Sequence, residues 1–411
     1  MRIGLALSGG GVRATVFHLG VLARLACDPS HKLESVKAIS TVSGGSLATG
    51  LVFSKSGNSW PTSEGFITTT LPSIAEVISN STLQFSYGWR AFVRVHRWFG
   101  GKAHIMGNLI RKQWGIDLSL KDLPDEPYWY INASTFETGK NWRFEKGKMG
   151  DYKAGYVLTP DFPVSSALGA SAAFPRLIGP LTLRTKKYNW YDVQFNGKER
   201  SLIPKQPAFR KLRLWNGGAY DNLGTEALYK PGPRTESDKL PYNNDLDFLV
   251  VSDASKPLGI QRTVFQKELP FYAPAVRLVY IATDQVRSLR VRTFLNQLRE
   301  RPGTGVFIKI GNHTGYIAEQ AVKYGFPRLS DSIIESNLGR EETSKASDVK
   351  TTLKRLPETT YTLLFRHGFE VANATLAAYC PSEFTNVDLP ENLKKLFQAA
   401  DSDSASETQG E

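Results

Sequence analysis

The stretch Arg2-Ile3-Gly4-Leu5-Ala6-Leu7-Ser8-Gly9-Gly10-Gly11-Val12-Arg13 decides how this chain is read. Its apolar run over 3–7 is too short for a helix and suits a buried strand, and it stops at a serine and three successive glycines. Val16, Leu19, Leu22, Ala23 and Ala26 then recur at helical spacing, so 2–8 reads as a strand and 12–27 as a helix. Successive glycines let the backbone approach a ligand closely, and amides at a helix N-terminus favour negative charge. A phosphate, an oxyanion or a tight turn without a ligand fits this loop equally well.

The same grammar returns downstream. A strand over 36–42 meets Ser43-Gly44-Gly45-Ser46, which opens a helix over 45–54. A serine on a sharp strand-to-helix turn, flanked by small residues, is the nucleophile-elbow arrangement, although Thr41 replaces the first glycine of G-x-S-x-G. The amides of Gly9, Gly10 and Gly11 are expected to face Ser43 as an oxyanion hole. Further strand candidates lie at 128–133, 212–215, 246–252, 276–282 and 306–310. Strands alternating with helical patterns predict an α/β fold, with a mostly parallel central sheet, helices on both faces and sites at the carboxyl ends of the strands. One domain is expected over 1–399, with insertions that include an exposed, proline-bearing loop near 230–244. An acidic disordered tail is expected over 400–411.

With 411 residues, 41 % of them hydrophobic, the chain can bury a sizeable core, which excludes a wholly disordered protein. Cys27 and Cys380 cannot supply a disulfide framework or a Cys-based zinc site, and the six histidines show no metal-ligand spacing. No metal and no cofactor are therefore expected. The net charge of +12, reached despite four acids and no base in the last twelve residues, draws the chain to something anionic. No stretch approaches the roughly 20 apolar residues of a membrane span, and the apolar start before Ser8 is too short for a signal-peptide core. The expectation is a cytoplasmic protein, peripheral at the inner membrane face when active.

Residues 85–102, FSYGWRAFVRVHRWFGGK, are the first candidate for that contact. On a helix, Phe85, Trp89, Phe92, His96 and Phe99 share one face, with Arg90, Arg94 and Arg97 opposite. A basic amphipathic helix of this kind suits an anionic bilayer surface, and a core helix with solvated arginines is the competing reading. No nucleic-acid module surrounds these arginines, so no nucleic acid is expected.

A third glycine-bearing turn is Trp215-Asn216-Gly217-Gly218-Ala219-Tyr220-Asp221-Asn222-Leu223-Gly224. Together with the Ser8–Arg13 loop and the Ser43 elbow, it resembles the patatin-like phospholipase family. Ile131-Asn132-Ala133-Ser134, Ala170-Ser171-Ala172-Ala173-Phe174-Pro175, Val251-Ser252-Asp253-Ala254-Ser255 and Arg366-His367-Gly368-Phe369 match in the same order. The resemblance implies a three-layer patatin-like fold and a lipid acyl hydrolase, of phospholipase A or lysophospholipase type, acting on membrane glycerophospholipids. Carried over residue by residue, it makes Ser43 the nucleophile and Gly9, Gly10 and Gly11 the oxyanion hole. Arg13, Gly45, Gly217 and Gly218 become anion or loop support. Some relatives are toxins or regulated membrane-degrading effectors, which leaves room for a regulatory protein or small-molecule activator that no residue here identifies.

The family pairs its serine with an aspartate that begins an Asp-Gly-Gly or Asp-Gly-Ala motif, and here Asn216 stands at that place. A carboxylate accepts and returns the serine proton, whereas a neutral amide has no comparable basic site. Three readings follow: an inactivated or strongly impaired form of a hydrolase, an enzyme that recruits another acid (Asp221 or Asp192), or a pseudoenzyme that binds lipid or a partner without turnover.

Overall fold

The computed structural model describes residues 1–80, 83, 102–173, 178–196, 199–231, 240–259 and 272–398. The predicted first strand is β1 (Ile3–Leu7), all five of whose residues are buried, as expected for a strand covered on both faces. It lies between β2 (Val36–Thr41) and β11 (Phe248–Asp253), parallel to both. Beyond them, β12 (Gly305–Lys309) and the first half of β3 (Tyr128–Thr135) extend the parallel centre.

On the far side of β3 the sheet turns antiparallel through β4 (Asn141–Phe144), β5 (Lys148–Asp151), β6 (Gly155–Leu158), β8 (Trp190–Asn196) and β9 (Glu199–Lys205). Two further strands, β7 (Leu181–Arg184) and β10 (Lys211–Asn216), attach through β10 to the second half of β3. The expected mostly parallel sheet is therefore the centre of a larger mixed one.

Apolar clusters cover both faces of that centre. Leu5, Leu7, Ile39 and Val250 pack with α1 (Gly11–Ala26) and the helix Glu358–Tyr379, while Ala6, Ala38 and Val251 pack with Leu228, Tyr229 and Phe294 of the other layer. Every residue of α1 is buried, so it is an internal helix held between the sheet and Glu358–Tyr379.

One predicted strand is corrected. Residues 276–282 lie within a helix, Tyr272–Glu300. A continuous apolar run does not separate strand from helix by period. The absence of glycine and proline from 275 to 301 is the signal that favours the longer element. The antiparallel wing adds strands beyond those expected from the sequence, and β4, β5 and β6, at four residues each, are too short to carry a periodic signal. Of the exposed loop near 230–244 only the ends are described, and the 400–411 tail lies outside the described residues. Among the described residues, no helix is long and apolar enough to cross a membrane.

Candidate active site

The register on β3 places the site. Thr41, the last residue of β2, pairs with Ile131, and Asn216, the last residue of β10, pairs with Ala133 two positions further along. β4 occupies the other edge of β3 at Ile131–Ser134. β2 and β10 therefore run toward each other along one edge of β3, and their ends converge there. Ser43 follows two residues after Thr41. Asn132, between the two pairing positions, donates from Nδ2 to the Thr41 carbonyl at 3.0 Å and to Ser40 Oγ at 2.9 Å. Its own carbonyl oxygen lies where a Cβ on Gly217 would come within 2.6 Å.

Ser43 is the residue before α2 (Gly44–Lys55) and has φ 49° and ψ −110°, a conformation that L-residues avoid. Two close approaches hold it there. A Cβ on Gly44 would collide with the Gly11 carbonyl, and one on Gly45 with the Leu7 carbonyl, so α2 can start this close to β1 and α1 only with glycine at both positions. The Ser43 amide donates to Ser171 Oγ at 2.9 Å. That hydroxyl also meets Ser46 Oγ at 2.9 Å, and Ser46 donates to Thr41 Oγ1, itself an acceptor from Trp129 Nε1. A buried chain of hydroxyls thus ties the elbow to β2, β3 and the helix Val164–Ser171.

The glycine loop lies against this elbow. A Cβ on Gly9 would sit 3.2 Å from Ser43 Cβ and 2.5 Å from Asn222 Oδ1. The Gly9 amide, expected among the oxyanion donors, already donates to the Asn222 carbonyl at 3.1 Å, and the Val12 amide to the Thr352 carbonyl at 2.9 Å. Gly10 and Gly11 lie between these two engaged amides. Arg13 is buried, and its guanidinium donates to the carbonyls of Ala254 and Val349, which makes it support for the loop. Burial draws its pKa down to about 10 against the pull of Asp253 and Asp348.

Beneath the loop, His18 Nε2 is 3.0 Å from the Ser8 carbonyl, which can only accept. Nε2 therefore carries the proton, and Nδ1 accepts from Ser252 Oγ. Burial lowers this imidazole to about 4, so it is neutral at pH 7.

Asn216 Oδ1 accepts from the Gly218 amide at 2.7 Å, its carbonyl accepts from Ser134 Oγ, and its amide donates to the Ala173 carbonyl. The Asp221 carboxylate is taken up by the amides of Leu223 and Glu226, by Thr225 Oγ1 and by Arg290. It braces the turn after Asn216 and has no free face for a serine proton. Asp192 lies on β8 in the antiparallel wing, paired with Lys205. Trp89, Arg90, Phe92, Arg94 and Arg97 lie outside the described residues.

Sequence reasoning gave no role to Ser171 or Asn222, although both stood inside recognised blocks. Asn222 Oδ1 lies close to the Cβ positions of both Gly9 and Gly218, while its Nδ2 donates to Ser255 Oγ at 2.8 Å. It therefore links the glycine loop, the Asn216 turn and the end of β11.

An α/β sheet with glycine-rich turns gathered at its strand ends, one of them strained around a serine, defines a class of site-bearing fold rather than one protein. The patatin-like phospholipase family model matches residues 5–229, more than half of the chain. The chain belongs to the patatin-like phospholipase family.

Among solved structures it is similar to human GIVD cytosolic phospholipase A2, at 13 % identity and a TM-score of 0.49, covering 97 % of this chain and 60 % of that one. It is also similar to VipD from Legionella pneumophila, at 13 % identity and a TM-score of 0.31, covering 98 % of this chain and 74 % of that one. No curated protein matches significantly.

Proposed function

We propose that this chain is a patatin-type lipid acyl hydrolase in which Ser43 is the nucleophile and position 216 is the place of the general base, occupied here by an asparagine that leaves the chain strongly impaired. The observation that carries this reading is the strained backbone of Ser43, packed against the glycine loop where the ends of β2 and β10 converge. Strain of this kind persists only where the surroundings enforce it, and here it holds Ser43, 8 % exposed, at the head of α2.

In the reaction, Ser43 Oγ attacks the ester carbonyl and forms an acyl-enzyme, and the amides of Gly10 and Gly11 receive the oxyanion. With aspartate at 216, a carboxylate oxygen takes the serine proton and returns it to the leaving alcohol. Water then releases the fatty acid by the same path. Asparagine has nearly the same shape and keeps the acceptor oxygen that holds the Gly218 amide, but it cannot take the proton. Substrate is a membrane glycerophospholipid, met from the side of the bilayer.

A lipid-binding pseudoenzyme is the second reading, favoured by one observation: both other candidate acids are committed elsewhere, Asp221 to its turn and Asp192 to Lys205.

Labelling with a fluorophosphonate and release of fatty acid from mixed phospholipid vesicles test the two together. Asn216→Asp is expected to raise release by about 10³–10⁴-fold, and Ser43→Ala in that background to abolish both release and labelling. An aspartate form that releases nothing from any phospholipid tested would overturn the hydrolase and leave the binding protein.

A further inference from the structure

The helix Tyr272–Glu300 has two unlike faces. One face, with Arg287, Arg290 and Phe294, is fixed to the loops of the candidate site and to the sheet. Arg290 Nη1 binds Glu226 Oε2 at 2.8 Å and its Nε lies 3.7 Å from Asp221, in the turn that follows Asn216. Arg287 Nη1 binds Asp253 Oδ2 at 2.7 Å, two residues before the Ser255 hydroxyl that Asn222 reaches. Phe294 is buried against the sheet.

Another face turns apolar side chains outward. Leu278, Val286 and Leu289 are 65, 42 and 56 % exposed, and with exposed Ala282 they follow one another at spacings of four, four and three residues, which is one face of a helix. Val279 and Ile281, at 61 and 40 %, flank that face. An exposed stripe this long and this apolar marks a contact surface rather than scattered surface hydrophobes.

Resting on the reading of the site given above, we propose that this stripe is a lipid-docking surface that sets the candidate site against an anionic bilayer. Charge selects a bilayer over a protein partner. Within the stripe's span the acid, Asp284, is neutralised by Arg287 at 2.6 Å, whereas Arg292 stands exposed one turn beyond Leu289, on a chain of net charge +12. Apolar side chains with an exposed arginine beside them and no free acid suit a helix that lies in an anionic membrane interface.

The arrangement also serves the chemistry. The residues that carry the stripe are continuous with those that brace Asp221 and Asp253, so a bilayer held on the stripe lies beside the turn that bears position 216. This surface is separate from residues 85–102, whose arginines and aromatics lie outside the described residues.

Co-sedimentation of the full chain with vesicles tests the proposal, using phosphatidylcholine alone and phosphatidylcholine mixed with phosphatidylglycerol. The chain is expected to bind the mixed vesicles more strongly, and less so as salt rises. Leu278→Asp combined with Leu289→Asp should weaken that binding roughly ten-fold or more, with an unchanged melting temperature. Leu278→Ser with Leu289→Ser serves as the milder pair if the aspartates disturb folding. Val322→Asp, at an equally exposed apolar position on the helix Thr314–Lys323, should leave binding intact.

Unchanged vesicle binding in both double variants overturns the proposal. So does a double variant that changes only the molar mass by light scattering, which would make the occupant a second copy of the chain. Because the readout is binding, an Asn216→Asp form that docks through the stripe yet releases no fatty acid would refute the hydrolase and not the docking surface.

Discussion

The turn after β2 and the turn after β10 approach the same edge of β3 from opposite directions, yet they hold their polar side chains by different means. Ser43 is forced to φ 49° by backbone packed against Gly44 and Gly45. At the second turn the backbone is relaxed: Gly217 has φ −60° and ψ −26°, and Asn216 simply caps the Gly218 amide with its own side chain. Close packing excludes a Cβ at Gly44 and Gly45 in the first turn and at Gly217 and Gly218 in the second, but only the first is driven into a strained conformation. The side chain at 216 is itself held by the Gly218 amide, a hydrogen bond that asparagine and aspartate make equally well. Packing therefore protects the geometry of the serine and is indifferent to the charge at position 216, so asparagine and aspartate fit the fold there alike.

The contrast can be broken from either side. The largest effect is expected from Asn216→Asp, which should raise esterase turnover by about 10³–10⁴-fold while shifting the melting temperature little. A large change in stability instead would show that the two turns are mechanically coupled.

Gly45→Ala should do the reverse. The new methyl meets the Leu7 carbonyl, so stability should fall by about 2–4 kcal/mol in denaturant titrations, and the activity of the aspartate form should fall with it.

Acid should act on the serine side through the buried imidazoles. Burial lowers His18 to about 4 and His367, which accepts from the Gly311 amide, to about 3. Both are neutral when folded and ordinary when unfolded, so their contribution is whole above pH 6.5 and is lost as pH falls toward 4. Melting temperatures should drop across that window, and His367→Gln should flatten part of the slope.

Ser171→Ala removes the acceptor of the Ser43 amide and should cost about 1 kcal/mol, with a loss of kcat in the aspartate form larger than any change in KM. The smallest effect is expected in the wing: Asp192→Asn breaks a partly exposed pair with Lys205 and should alter stability by less than about 0.5 kcal/mol. A large loss of activity there would revive Asp192 as an acid.

Much of the central sheet was legible in the chain. The strands over 3–7 and 248–253 are buried throughout and carry the apolar runs IGLAL and FLVV, while 36–41, buried except at Lys37, keeps Val36, Ala38 and Ile39. The wing was not legible, because strands such as Lys148–Asp151 and Glu199–Lys205 carry no regular alternation and exist through their neighbours. The helix at 272–300 reads as a strand over 276–282 because 278–282 is a short continuous run of apolar residues, exposed around the helix, and so short a run carries no helical period of its own.

By itself the amino-acid sequence determined the family and named the candidates, Ser43, the glycine loop and the asparagine at 216, because these are matters of residue type in a given order. The tertiary structure decided which groups are still available to do chemistry. Only in three dimensions do the ends of β2 and β10 converge on β3, and only there are Gly9, Asp221 and Arg13 seen to be already engaged. Hydrogen-bonding capacity is finite and is spent by partners distant in the chain, so a motif names candidates and the fold decides which of them remain free.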